Sequence, residues 1–401
     1  MRQIRQQLLP FERLTREPGH YFFGYYDLQP WSRDGRFHLC HRVAFQDRTP
    51  TAADPAELGM VSMADARFIP FAQTYAWNFQ QGAMLQWHPL QPDEVAIYNT
   101  RAGGEFRGAL CSVWTGEERL LERPVAAVDP RGRYALSVNF SRMFDFRPGY
   151  GYAGIPDPFG QEAHPKEDGV FLIDLQSGAS RLLLSYHELA ARFGQHDWLS
   201  GCKLLVNHIT FNSDGSRFVF LLRNFPPAPR ASWKTAVLTA NLEGEDVRLL
   251  NDFGLASHYW WRDPQHLLIY AGMGSNGERG LYLVDDQTGR AELVDPAFFT
   301  SDGHCSYSPG GAKILYDSYP DHDGYRRLYL YDVYDVGERR GVTLATLRSE
   351  PIGRLERVDI RCDLHPRWNR DGSAISFDSV HEGHRHLYWM ELARLDERME
   401  P

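Results

Sequence analysis

A single-domain, all-β, seven-bladed β-propeller is the fold this sequence predicts, on three observations. A short motif recurs seven times, strand-like segments follow each copy, and one stretch alone has a helical pattern. The motif is an aromatic or apolar residue followed at once by a tight turn, and such internal repetition marks propeller blades. Clear copies are Trp31-Ser32-Arg33-Asp34-Gly35, Phe211-Asn212-Ser213-Asp214-Gly215, Tyr307-Ser308-Pro309-Gly310-Gly311 and Trp368-Asn369-Arg370-Asp371-Gly372. Weaker copies begin at Trp87, Val128 and Trp261. Asp-Gly and related pairs make hairpin turns between strands.

Taken in chain order, Trp31 anchors blade 1 and Trp87 blade 2. Val128 anchors blade 3, which continues through the apolar run 170–174 to a polar turn. The interval from Val128 to Phe211 exceeds one blade and carries a long insertion near residues 141–169, of the kind that builds a binding face. Residues 185–194 have the helical pattern. Blades 4 to 7 follow their anchors with the β-branched and aromatic segments 217–223, 266–272, 313–319 and 374–380. Blade 7 shows three strands, so a strand within residues 10–17 is expected to close the ring.

The chain has 401 residues, of which 43% are hydrophobic, 24% charged and 13% aromatic, a globular composition rather than a disordered one. Its formal charge of −9 and dispersed Lys and Arg argue against a nucleic-acid partner. No apolar run approaches the roughly 20 residues that span a bilayer, and the N-terminal stretch lacks a signal-like apolar segment, so a cytoplasmic protein is expected. Cys40, Cys111, Cys202, Cys305 and Cys362 are widely spaced without a CxxC pair and read as reduced thiols.

Three residues before the anchor, blades 4 to 7 carry His208, His258, His304 and His365, where blades 1 to 3 carry Leu28, Met84 and Val125. Equivalent positions in a closed ring share height and radius, so four imidazoles should converge on one side of the channel. Imidazole is a common ligand of first-row transition metals. His258, His304 and His365 are the expected ligands, His208 is either a ligand or a catalytic group, and Asp363 adds an oxygen donor. Such a set suits Mn, Zn, Fe or Ni.

Tyr25, Tyr26 and Asp27 stand where a sugar could stack and be hydrogen-bonded. In the insertion, Asn139 and Arg142 precede Arg147, Tyr150 and Tyr152 on a glycine-rich loop, a set suited to an anionic, hydroxyl-rich ligand because guanidinium grips carboxylate bidentately. His88 occupies a turn and reads as structural. His381, His384 and His386 run across a hairpin and read as surface histidines.

The segments Gly303-His304-Cys305-Ser306-Tyr307-Ser308-Pro309, Tyr319-Pro320-Asp321 and Leu364-His365-Pro366-Arg367-Trp368, with Ser257-His258-Tyr259-Trp260, resemble the seven-bladed propeller polysaccharide lyases. The similarity is closest to the oligogalacturonate lyase family and fainter to the ulvan lyases. It covers the propeller as a whole and is sharp in the last three blades. It implies a manganese ion held by histidines and a glutamine, with an arginine as base, and makes His304 and His365 ligands. Where that family has a further histidine this chain has Asp363, and Ile360 stands at the neighbouring ligand position in place of the glutamine. Ulvan lyases use His and Tyr as acid and base, a role that Tyr150 and Tyr152 would fit.

The implied activity is β-elimination from a uronate-containing oligosaccharide, with His208, Tyr150, Tyr152, Arg142 and Arg147 as the catalytic set and Tyr25, Tyr26, Asp27 and Asn139 binding substrate. The alternatives are a non-catalytic scaffold or glycan-binding propeller, and a metal-dependent sugar-acid hydrolase or epimerase.

Overall fold

The structure is a computed structural model, and it describes residues 4–16, 18–196, 199, 201–225, 232–252, 254–273, 276–334, 340–351 and 355–395. Its described strands form seven antiparallel-meander sheets, six of four strands and one of five, in chain order around a ring. In blades 2 to 7 the anchor ends the first strand: Gln86–Trp87, Ala127–Val128, Leu204–Phe211, Ala256–Trp261, Cys305–Tyr307 and Arg367–Trp368. In blade 1 the first strand is His20–Phe22, and Trp31 makes an isolated bridge to His38.

Blade 7 takes its fourth strand from near the N-terminus. Glu12–Arg13 pairs antiparallel with His386–Glu391, aligning Glu12 with Trp389 and Arg13 with Tyr388. Leu14 N donates to Leu387 O at 2.8 Å and Tyr21 N to Arg385 O at 2.7 Å, so backbone bonds tie the two ends of the ring. A second N-terminal strand, Arg5–Gln6, lies parallel on the outer edge of blade 6. That five-stranded blade is not evident in the repeat pattern, because a two-residue edge strand has no periodicity to read.

The insertion joins the second and third strands of blade 3. It begins with helix α1 (Phe140–Phe146), whose N-terminus is capped by the Asn139 side chain accepting from Arg142 N at 2.9 Å. This helix has no clear sequence pattern, since four of its seven residues are buried and both faces touch protein. The expected helix is α2 (Tyr186–Phe193), started by a capping box in which Ser185 and Glu188 satisfy each other's backbone N–H.

Aromatic and aliphatic side chains fill the gaps between neighbouring blades. Phe22, Trp77 and Phe79 interlock at ring-centroid distances of 5.1–6.1 Å between blades 1 and 2. All five cysteines are unpaired. No described helix is long and apolar enough to cross a membrane.

Candidate metal centre and arginine-lined cavity

The innermost strands bulge where the histidines sit. Pairing of the blade 4 strand skips across His208, and that of blade 5 skips from Ala256 to Tyr259, leaving His258 outside the ladder. A bulge re-aims a side chain out of the regular alternation. His208 and His365 also have left-handed backbone, at φ 47° and 42°, a conformation costly for a residue with a Cβ.

The result is a buried arc of imidazoles. Ring centroids lie 4.0 Å apart for His258 and His304, 4.3 Å for His304 and His365, and 6.4 Å for His208 and His258. Two of the rings are buttressed by carboxylates. His258 Nδ1 is 3.0 Å from Asp302 Oδ1, and His304 Nδ1 is 3.0 and 2.9 Å from the oxygens of Asp317. Asp317 also accepts from the His304 backbone N at 2.7 Å. Gly303 permits this approach, because a Cβ there would meet Asp317 O at 2.0 Å.

Burial holds the pKa of His208, His258 and His365 below the ordinary imidazole value, with neighbouring cations adding to the effect. Neutral imidazole is the ligating form. The residues fit a divalent transition metal: His304 Nε2 and His365 Nε2 are buried without a hydrogen-bond partner, and a carboxylate on Nδ1 is the usual outer support of a ligating histidine. One donor atom from each of His304, Asp363 and His365 lies within 4.8 Å of the others. Asp363 is already held by guanidinium groups, with Arg326 Nη1 at 2.6 Å and Arg361 Nε at 2.9 Å from Oδ1, and Arg361 Nη2 at 2.8 Å from Oδ2. Burial opposes the Asp363 charge, but Arg361 and Arg326 hold its carboxyl well below the usual range.

His208 and His258 border a cavity of about 620 Å³. Arg147, Arg223 and Arg361 line it together with Tyr150, Trp233 and Tyr319. Arg147 and Arg223 both lie over the Trp233 ring, at 5.2 and 5.8 Å. Among the described residues neither has a carboxylate partner. Arg223 is 4% exposed, with Nε and Nη1 unmatched, and burial followed by Arg147 pushes its pKa down to about 10. An unpaired guanidinium buried in a cavity is costly unless an anion arrives.

Of the expected catalytic residues, the structure brings His208, Arg147 and Tyr150 together at this cavity. Tyr150 meets His208 edge-on at 5.4 Å. Arg142 and Tyr152 are elsewhere. Arg142 is fully buried and donates to Asp157 and to the carbonyls of Leu204, Phe159, Glu162 and Ala163, so it staples the insertion and has no access to the channel. Tyr152 stacks on Phe140 at 4.3 Å and accepts from Asn99 Nδ2 at 2.9 Å inside the core. Asn139, expected to bind substrate, caps α1 and donates to Asp157 and Asp168.

Tyr25 and Tyr26 wall the histidine arc rather than the large cavity. Tyr25 stacks on His208 at 5.0 Å, and Tyr26 Oη donates to Tyr259 O at 2.7 Å. Asp27 accepts from Thr210 Oγ1 at 3.1 Å. His88 is buried at its turn and accepts from Leu90 N at 3.3 Å. His386, expected at the surface, is buried and bonded to Thr15 Oγ1 at 2.9 Å where the ring closes, whereas His384 is exposed.

Sequence reasoning missed Arg223, Trp233, Asp302, Asp317 and Arg361. Arg223 directly follows five consecutive apolar residues, Phe218 to Leu222, in its strand, and that was its available signal.

The chain matches no protein-family model, and its sequence alone finds no significant similarity to a curated protein. Solved structures do resemble it. An oligogalacturonate lyase from Vibrio parahaemolyticus is 12% identical, with 97% of this chain and 98% of that one covered at a TM-score of 0.64. An oligogalacturonate lyase in complex with manganese is 15% identical, with 98% and 99% covered at a TM-score of 0.65. The tricorn protease is 11% identical and covers 95% of this chain with 35% of its own length at a TM-score of 0.53. The chain thus has the seven-bladed propeller fold of the oligogalacturonate lyases along essentially its full length.

Proposed function

We propose that this protein is a metal-assisted lyase that cleaves short uronate-containing oligosaccharides by β-elimination. The observation that carries the reading is the juxtaposition of a buried arc of imidazoles with a cavity lined by two unpaired arginines. The whole-chain likeness to oligogalacturonate lyases, one of them a manganese complex, supports it.

β-Elimination needs the uronate carboxylate neutralised, a base for the C5 proton and a donor for the departing O4. Arg147 and Arg223 bind and orient the carboxylate, and Arg361, fixed by Asp363, adds positive potential to the same wall. His208, neutral and bordering the cavity, takes the C5 proton. The C4–O4 bond breaks as the C4–C5 double bond forms, and Tyr150 protonates the leaving oxygen. His304, His365 and His258 would hold the divalent metal, manganese in the first instance, with Asp363 beside them. The bound ion supplies Lewis-acid stabilisation of carboxylate and enolate charge.

The test is to measure metal content of the purified protein beside His304→Ala and His365→Ala, then assay uronate oligosaccharides by ultraviolet absorbance. Stoichiometric metal, lost in both variants, and an absorbing unsaturated product are expected. Metal-free protein with full activity, or cleavage without an unsaturated product, would overturn the reading.

A further inference from the structure

His208 borders a second, small space besides the large cavity. This space offers about 10 Å³ to the centre of a water molecule and is also bordered by Asp27, Met84, Phe140 and Met143. That is close to the size at which one water is held, provided polar partners face it. Two such partners exist. His208 Nδ1 and Asp27 Oδ1 are both buried and have no hydrogen-bond partner among the described residues. The remaining polar atoms of these groups are engaged: Asp27 Oδ2 accepts from Thr210 Oγ1 at 3.1 Å, and His208 Nε2 lies 3.3 Å from Tyr25 Oη. A single bridging molecule in this space would satisfy both unmatched atoms.

We infer that one water joins His208 Nδ1 to Asp27 Oδ1, and that Asp27 thereby sets the tautomer of the His208 ring. The carboxylate accepts from the water and the water accepts from Nδ1–H, which leaves Nε2 with the lone pair. Burial raises the Asp27 carboxyl to about 6, so it remains an acceptor at neutral pH. The ring is held in place by stacking on Tyr25 and by the edge of Tyr150, while Tyr259 Oη donates to the His208 backbone carbonyl. Asp27 is therefore a positioning residue, acting on His208 rather than on the ligand. Its catalytic consequence rests on the assignment of His208 as the proton acceptor, whereas the hydrogen-bond arrangement does not.

The tautomer is read by nuclear magnetic resonance of the full chain labelled with nitrogen-15 histidine at neutral pH, with His208→Gln identifying the signals. The parent is expected to carry the His208 proton on Nδ1, and Asp27→Ala to lose that preference while the other histidines keep their shifts. In the same variant kcat should fall about 10- to 100-fold with KM changed by less than about threefold, the pattern of a lost orienting partner. A His208 proton on Nε2 in the parent overturns the inference. So do unchanged His208 signals in a folded Asp27→Ala. If that variant does not fold, the parent tautomer decides alone. A tautomer that responds to Asp27→Ala in a protein lacking lyase activity upholds the bridge and overturns the lyase reading.

Discussion

Blades 1 to 3 and blades 4 to 7 carry different chemistry on one backbone shape. At the position three residues before the anchor, the first group has Leu28, Met84 and Val125 and the second has His208, His258, His304 and His365. Met84 has φ 54°, beside 47° for His208 and 42° for His365, so the left-handed turn into the channel occurs in both halves. In the apolar half, Met84 and Val125 are buried in hydrophobic clusters. In the polar half, His208 Nδ1, His304 Nε2 and His365 Nε2 are buried and unmatched. The left-handed turn thus belongs to the propeller, and a site has been placed on it where it costs stability.

Breaking the polar half has the largest expected effect. His304→Ala or His365→Ala should lower kcat/KM by at least about 1,000-fold and release the bound metal, read by elemental analysis of folded protein. Arg223→Met should lower kcat/KM by about 100- to 1,000-fold and yet raise the thermal midpoint, because it removes an unpaired buried charge. A lower midpoint would mean that Arg223 has a structural partner.

Smaller changes sharpen the contrast. Asp317→Asn should weaken metal binding by about 10- to 100-fold in a calorimetric titration, through loss of the support on His304 Nδ1. Asp27→Asn reports on stability. The folded-state pKa of Asp27 is raised by burial from 3.8 to about 6, so the native state binds more protons than the unfolded chain across that window. The Asp27 contribution to stability should therefore fall as pH rises from 3.8 to about 6, and the Asn variant should not share this loss. Its advantage, near zero below pH 3.8, should reach about 1–3 kcal/mol above pH 6 in denaturant titrations. Met84→His has the smallest effect: a fifth histidine on the same backbone shape should fold, shift stability by about 1 kcal/mol and bind no additional metal.

Much of this was legible in the residues. The seven anchors mark the blades because each blade must end its inner strand in a tight turn and cover its neighbour with an apolar or aromatic side chain. The histidine register followed from the same count. The insertion was legible as excess length but not in its roles. Arg142 and Tyr152 looked suited to a ligand, and both are in the core, because a string of arginines and tyrosines does not reveal which face each side chain takes. Arg223 was hidden for the opposite reason, lying in a strand whose other residues are mostly apolar.

By itself the sequence determined the number of blades, the order of the strands and the fact that four histidines share one register, since all three depend on spacing along the chain. Only the tertiary structure decided which carboxylate supports which imidazole, that Asp363 is held between Arg326 and Arg361, and that Arg147 and Arg223 face one cavity without acid partners among the described residues. Apart from Arg361 and Asp363, two residues apart, those pairings join different strands or loops, and their energies depend on distance and burial, which exist only once the ring has closed.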